Sequence, residues 1–284
     1  MSALDELTTY FVTTDRVTAP RALAALEAQN LPRPIELVRN VRPLAAAYGR
    51  SLACQTEFCA IIDDDVALQP GFLQKAVEEL IHVRRSRPDV FILAGIHFTD
   101  RDDLIAGRGV ALYHVPSLRK VGFPDVPHVA RRQRAMAEAM GMSLHGSAHV
   151  VGERLRGSTE DIYKRFLWFQ LRWLARLDPW YRRFPPSQTL IRAVATNDRD
   201  HWAAAMGTID ATLAGDVPTS KDELFRGPLG ATVDFESATV AQCRRLVLGA
   251  MPRFVRAYLP SFLGLAAEEA ARQSMKAFRK LRSG

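Results

Sequence analysis

Short apolar runs alternate with amphipathic segments along the first 96 residues of the chain. The runs are rich in β-branched and aromatic residues, which is typical of buried strands, and the segments between them have the period of helices. Strands are predicted at residues 7–13, 35–40, 58–62 and 90–96, and helices at residues 20–30, 43–54 and 70–83. This alternation predicts an α/β fold with a mostly parallel sheet flanked by helices. Such sheets bind ligands beyond the carboxyl ends of their strands.

The rest of the chain is predicted to be mainly helical. Residues 107–121 predict a strand, a turn at Pro116 and a short helix, and residues 128–140 predict a basic amphipathic helix. The composition changes at residues 184–186, Phe-Pro-Pro, which is the best candidate for a domain boundary. From residue 187 onward the pattern predicts mostly helices.

The composition narrows the class of protein. With 284 residues, 48% of them hydrophobic, the chain is long enough to bury a sizeable core. Three cysteines without a metal-ligand pairing favour reduced thiols and a cytoplasmic setting. The N-terminus lacks the features of a signal peptide, and no apolar run is long enough to span a membrane, so any membrane contact is expected to be peripheral. The net charge of +7 suits an anionic partner.

Three consecutive aspartates, Asp63, Asp64 and Asp65, follow the predicted strand at 58–62. Alternate residues leaving a strand point the same way, so Asp63 and Asp65 are expected to share one side while Asp64 turns aside. Their oxygens suit Mg²⁺ or Mn²⁺, an ion that is usually shared with substrate phosphates. The cation would relieve the repulsion among the carboxylates and neutralise charge on a departing diphosphate. The alternative is an ordinary loop and helix cap.

The order of these elements resembles the nucleotide-binding half of family 2 glycosyltransferases of the GT-A fold. The resemblance covers about the first 125 residues and is most specific at residues 58–73, FCAIIDDDVALQPGFL. A later stretch, GVALYHVPSLRKVGFPDV, is similar to that family's acceptor-side strand and the Gly-Phe-Asp loop that follows it. The resemblance implies an inverting, metal-dependent transfer of a sugar from a UDP- or GDP-sugar donor. The acceptor would be a glycan, a lipid-linked molecule or a protein.

Carried onto this sequence, the resemblance implies specific site residues. Those expected around the nucleotide are Thr13, Thr14 and Asp15 after the first strand, Arg39 or Asn40 after the second, Arg50, and Asp64. Asp63 and Asp65 are expected to hold Mn²⁺ or Mg²⁺ together with the diphosphate. Each nucleotide residue also has a plain structural interpretation, since residues 13–15 could form a turn cap and Arg50 could be a solvated helix residue.

The catalytic base is harder to assign. An inverting transfer needs a carboxylate that takes the proton from the acceptor hydroxyl. The family places it in a Glu-Asp pair soon after a Gly-Gly-Phe loop, whereas this chain has Val-Gly-Phe at 121–123, then Asp125, and its Glu160-Asp161 pair comes much later. Asp161 is the first candidate, with Glu160 beside it and Asp125 in reserve. The sequence from Ser158 is equally typical of a helix start with favourable acids.

The resemblance also divides the chain. Residues 1–125 are expected to bind the nucleotide sugar and metal, residues 126–184 to form the acceptor side, and residues 185–284 to form a helical region. Within them, residues 162–184 interleave Trp, Tyr and Phe with arginines. That composition suits peripheral contact with the inner face of a membrane. It equally suits a core helix whose arginines reach solvent along their apolar stems.

Two other functions fit parts of the sequence. An apolar strand followed by Asp-x-Asp is also the haloacid dehalogenase pattern, in which Asp63 would be a phosphoryl nucleophile and Lys221 a loosely matching lysine. A basic, non-catalytic module that binds nucleic acid or membrane is the third interpretation, and nucleic acid is the less favoured partner. His145 and His149 could supply a further metal ligand or be ordinary surface or core histidines.

Overall fold

A computed structural model describes residues 2–99, 104, 109–126, 129–174, 186–214, 234–235 and 237–258. These residues divide into two compact units, 2–158 and 159–258. The division falls before the helix that begins at Thr159, rather than at the predicted boundary near residue 185. That helix packs along a later helix, Arg199–Ala214, and so belongs with the C-terminal part.

The first unit alternates strands and helices. Its strands are β1 Leu7–Thr13, β2 Glu36–Arg39, β3 Phe58–Asp63, β4 Val66–Leu68, β5 Val90–Ala94, β6 His97–Phe98, β7 Val110–His114, β8 Ser143–Gly146 and β9 Val150–Arg154. Its helices are α1 Ala19–Glu27, α2 Leu44–Gly49, α3 Phe72–Ser86, α4 Val115–Val121 and α5 Val129–Ala139, with short 3-10 helices at Ala3–Glu6 and Arg50–Ala53. Pro116 lies in the first turn of α4, where proline fits a helix, rather than in a turn before it.

The main sheet has the strand order β2-β1-β3-β7-β5-β8. β1 is parallel to β2 and β3, and β5 is parallel to β8, while β7 runs antiparallel to both of its neighbours. The prediction of an α/β fold with a mostly parallel sheet flanked by helices is therefore confirmed. The carboxyl ends of β2, β1 and β3 lie side by side at one edge of the sheet.

Both faces of the sheet are covered, as the near-continuous apolar runs of β1 and β3 require. On one face Phe11 and Ile62 pack in a core with Leu26 of α1 and Leu80 of α3. On the other face the intervening residues of these strands, such as Ile61, pack with the α2, α4 and α5 helices. Because side chains alternate along a strand, each strand supplies both cores.

A second, three-stranded sheet has the order β4-β9-β6. β4 follows the aspartates directly and pairs antiparallel with β9, so that Val66 lies opposite Arg154 and Leu68 opposite Gly152. Gly152 has a φ of 139°, and a Cβ there would lie 2.1 Å from the carbonyl oxygen of Ala67. Only glycine permits this close strand pairing, which brings residues 65 and 154 together.

The second unit is helical. Its described helices are α6 Thr159–Leu174, α7 Pro186–Thr196, α8 Arg199–Ala214 and α9, which covers residues 240–258. Trp168 of α6 and Trp202 of α8 are buried in one core with Phe254 of α9. The described part of the aromatic segment 162–184 is thus a core helix, because Phe166 is buried as well, and residues 175–184 lie outside the described residues. None of the described helices is long and apolar enough to cross a membrane.

Candidate functional site

The predicted site residues that follow β1, β2 and β3 meet at the sheet edge formed by the ends of these strands. Val12 pairs with Asp63 across the β1–β3 ladder, so the residues after β1 face the aspartates after β3. Asn40 follows β2 and donates its backbone N–H to the carbonyl oxygen of Thr13 over 2.9 Å. Parallel strands place their carboxyl ends together, and this is why residues far apart in sequence share one surface.

Asp64 ties the end of β1 to the end of β3. Its Oδ2 accepts hydrogen bonds from Thr13 Oγ1 at 2.8 Å and from the backbone N–H of Thr14 at 3.1 Å. Arg16 Nη1 lies 3.5 Å from Asp64 Oδ1. Thr13 and Asp64 are both buried. A buried carboxylate needs such donors, so Asp64 fixes the loop at 13–16 rather than facing a ligand directly.

A second polar cluster lies beside it on the surface. Asp15 Oδ2 accepts a hydrogen bond from Asn40 Nδ2 at 2.6 Å, and Asp15 Oδ1 lies 3.0 Å from Arg39 Nε. Asp15 and Asn40 have φ values of 59° and 53°, a conformation that Asp and Asn adopt more readily than other non-glycine residues. The side chains of Asp15 and Arg39 are 46% and 62% exposed, so this cluster can be reached by a ligand.

Asp63 is the half-buried member of the triplet. Tyr48 Oη of α2 donates to Asp63 Oδ1 over 3.0 Å, and no other described side chain donates to Asp63. Burial, followed by the negative charge of Asp65, raises the pKa of Asp63 to about 6. The ring of Tyr48 packs on Phe123, with ring centroids 5.7 Å apart. No sequence signal indicated Tyr48, because an aromatic residue in an Ala-rich helix is usually a core residue.

Asp65 is held from within the protein. Its Oδ2 lies 2.9 Å from Arg154 Nη2, and the two side chains are each only 7% exposed. Arg16 Nη1 approaches the same oxygen at 3.8 Å. Arg154 also lies over the ring of Phe98, 5.7 Å from its centroid. A Cβ at Gly109 would be 2.1 Å from Arg154 Nη1, so the chain leaves room for this guanidinium.

Whether the triplet suits a divalent cation depends mainly on Asp63. In the described part of the chain, no group of three or more His, Cys, Asp and Glu side chains could hold a metal ion by itself. A cation shared with phosphates needs only one or two carboxylates, however. Asp63, with one oxygen that accepts no described hydrogen bond and a pKa raised first by burial and then by the charge of Asp65, fits that role. Asp65 already has Arg154 as an ion-pair partner.

The remaining predicted residues lie apart from this cluster or in the other unit. Arg50 begins a 3-10 helix and is exposed, and its side chain forms no hydrogen bond or ion pair with another described residue. Asp125 is exposed two residues after Phe123, which contacts Tyr48. Glu160 and Asp161 lie in the first turn of α6, in the second unit, and Glu160 pairs with Lys164.

His145 and His149, which the sequence suggested as possible metal ligands, instead share the carboxylate of Glu79. Glu79 Oε1 lies 3.1 Å from His145 Nε2, and Glu79 Oε2 lies 3.8 Å from His149 Nε2. Glu79 also accepts hydrogen bonds from Ser147 Oγ at 2.7 Å and from the backbone N–H of Ala148 at 3.0 Å. These bonds fasten the β8–β9 turn to α3, which is a structural role.

No family model matches the chain, and no curated protein matches it by sequence. Among solved structures, A197 from STIV is 12% identical, with a TM-score of 0.34 over 50% of this chain and 81% of that one. The bifunctional IspDF from Campylobacter jejuni is 12% identical, with a TM-score of 0.33, covering 55% of this chain and 53% of that one. CMP:2-keto-3-deoxy-manno-octonic acid synthetase complexed with CTP is 9% identical, with a TM-score of 0.32, covering 54% and 92%. The functional evidence lies in the site's own residues.

Proposed function

We propose that this protein is a glycosyltransferase of the GT-A type, which transfers a sugar from a UDP- or GDP-sugar to a glycan, lipid-linked or protein acceptor. One observation carries the proposal: Asp64 fastens the loop after β1 to the acidic triplet after β3. This bond joins the segment that would cradle a nucleotide to the segment that would meet its diphosphate, at the sheet edge where α/β proteins bind ligands.

The nucleoside would lie on the exposed cluster of Asp15, Arg39 and Asn40. Their carboxylate, guanidinium and amide groups offer both acceptors and donors, which the hydroxyls of a ribose and the edge of a base require. Arg16, at the mouth of the same loop with 28% of its side chain exposed, supplies positive charge towards a diphosphate. The same surface would accept either nucleotide, so the donor's identity is a question for binding assays.

A Mn²⁺ or Mg²⁺ ion completes the proposal, held by Asp63 together with the diphosphate. Such an ion would neutralise the charge that develops on the leaving diphosphate. Asp64 and Asp65 face the guanidinium groups of Arg16 and Arg154, and Asp63 adjoins them in sequence, so negative charges exceed positive ones by one among these five side chains. An anionic diphosphate would be repelled by that excess, and a divalent cation reverses its sign.

Asp125 is the better supported of the candidate bases. It follows Phe123, whose ring contacts Tyr48, and Tyr48 in turn donates to Asp63, so a chain of contacts links its loop to the triplet. Its exposure leaves it accessible to an acceptor hydroxyl. Asp161, the first candidate from the sequence, stays the alternative. We expect Asp125→Asn to retain nucleotide binding and to lower kcat roughly 10²-fold to 10⁴-fold, with Asp161→Asn measured beside it.

Thermal shift with nucleoside diphosphates tests the nucleotide site. UDP and GDP are each added with and without Mn²⁺, and one of them should raise the Tm by about 5–11 °C at a hundredfold excess over Kd, only when Mn²⁺ is present. Asp63→Asn should abolish the Mn²⁺-dependent part. Glu27→Gln, the same change at an exposed helix residue, should leave it intact. Absence of any shift with every diphosphate would refute the proposal.

Turnover and generic phosphatase assays separate the remaining interpretations. Release of UDP or GDP from nucleotide sugars supports the transferase, whereas hydrolysis of simple phosphate esters without nucleotide would favour the haloacid dehalogenase interpretation. Lys221, which that chemistry would need, lies outside the described residues. Binding of a diphosphate without turnover of any donor would indicate a transferase-like fold that has lost its base.

A further inference from the structure

Helix α9 of the second unit has two contrasting faces. One face is buried, with Cys243, Val247 and Phe254 each at most 3% exposed. About a third of a turn round the helix from that face, Leu248 and Val255 are 51% and 49% exposed. These two residues are seven positions apart, so they lie nearly in line along the helix. The helix thus presents an apolar stripe to solvent in addition to the stripe that holds it in the core.

Arginines flank the exposed stripe. Arg244 and Arg245 lie one turn before Leu248, and Arg256 follows Val255, with Arg253 to the side. All four arginines are exposed, and none forms an ion pair with a described carboxylate. Residues 240–258 contain no Asp or Glu. The surface is therefore both apolar and purely cationic over roughly 20 Å of helix.

This combination specifies the chemistry of a partner. Nucleic acid would use the arginines but has no place for a Leu–Val stripe between them, because phosphate contacts are polar. A second copy of the chain would bring the same positive charge and repel it. An anionic bilayer satisfies both features, since arginines meet the headgroups while aliphatic side chains enter the boundary with the acyl chains.

We propose that α9 is a membrane-docking helix that lies on anionic bilayers, with Leu248 and Val255 inserted and Arg244, Arg245 and Arg256 on the headgroups. This surface is a second candidate beside residues 162–184, of which Phe166 and Trp168 are buried. The inference does not depend on the proposed transferase activity, because it uses residues of the second unit alone.

Vesicle co-sedimentation of the full chain tests the proposal. The vesicles are phosphatidylcholine alone, or phosphatidylcholine with 30% phosphatidylglycerol, and we expect binding to the second kind only. Arg245→Gln/Arg256→Gln should weaken that binding roughly 30-fold, about fivefold per arginine. Leu248→Ser/Val255→Ser should weaken it roughly tenfold or more.

The matched control removes the same charge elsewhere. Arg85→Gln/Arg132→Gln changes two exposed arginines of the first unit and should bind like the wild type. Far-UV circular dichroism must show each variant folded. Equal losses for the two arginine pairs would refute the docking helix in favour of bulk charge. Binding to RNA but not to vesicles would also refute it. A third refuting result is a wild-type dimer that binds no vesicles and that Leu248→Ser/Val255→Ser converts to a monomer.

Discussion

Arg154→Met is the substitution that tests how the acidic triplet is held together. It leaves the buried carboxylate of Asp65 without the guanidinium that lies 2.9 Å away, and with the like charge of Asp63 close by. Removing one partner of a buried ion pair costs about 3–5 kcal/mol. For a unit of this size that corresponds to a fall in Tm of about 6–20 °C.

Because the chain has two units, the loss of thermal stability can be assigned to one of them. All four tryptophans of the chain lie after residue 158, so their fluorescence reports unfolding of the second unit, whereas far-UV circular dichroism reports both units. We expect Arg154→Met to lower the temperature at which the first unit unfolds in the dichroism. The unfolding transition followed by tryptophan fluorescence should stay in place. Arg85→Met, at an exposed arginine, is the control and should shift neither transition.

A double variant tests whether the unpaired charge causes the loss of stability. Asp65→Leu/Arg154→Met removes both charges, and replacing a buried pair by apolar residues is often neutral or stabilising, so most of the lost stability should return. A loss of less than about 1 kcal/mol in the free energy of unfolding of Arg154→Met would contradict the buried ion pair. So would a double variant that is no more stable than the single variant.

Three further predictions follow from the site. Gly109→Ala should destabilise the first unit by an amount similar to Arg154→Met, because its Cβ would lie 2.1 Å from Arg154 Nη1 at a φ of 62°, and thermal melting measures it. Since the pKa of Asp63 rises from 3.8 to about 6 on folding, the folded state holds its proton more tightly, so stability should fall as pH rises from about 4 to 6, and Asp63→Asn should remove that slope in urea titrations. Thr13→Val should cost about 1.5–3 kcal/mol in the same titrations, because Asp64 loses a donor to its charge.

Each of these has an outcome that would contradict it. Unchanged melting of Gly109→Ala would mean that the arginine can move aside. A pH slope that survives Asp63→Asn would belong to another group. Thr13→Ser keeps the hydroxyl and should retain most of the stability, so equal losses for Val and Ser at this position would point to packing rather than to the hydrogen bond.

Local sequence signals were sufficient for the parallel half of the sheet. The buried runs at β1 and β3, with a helix between them, follow from apolar pattern and chain length, and parallel pairing then brings Thr13, Asn40 and Asp63 to one edge. These features depend on neighbours in sequence or on adjacent strands. The alternation of side chains predicted that Asp63 and Asp65 would share one side, but Arg16 lies near Asp64 and Asp65 together, while Asp63 contacts Tyr48.

What the sequence did not indicate depends on distant contacts. Arg154 is 89 residues from Asp65, and it reaches the triplet only because the very short strand β4 pairs with β9. Neither strand has a strong pattern of its own, since β4 spans only Val66–Leu68 and β9 only Val150–Arg154. Helix α6 likewise joins the second unit through its packing on α8, a contact between residues far apart in sequence.

The bond between Thr13 and Asp64 has an evolutionary consequence. It spans 51 positions of sequence, and both residues are buried. A change of either one alone would therefore leave the other without its hydrogen-bond partner. In homologues these two positions should covary: wherever the hydroxyl is replaced by an aliphatic side chain, the acid should also give way to a neutral residue. A set of such sequences would reveal the coupling without any purified protein.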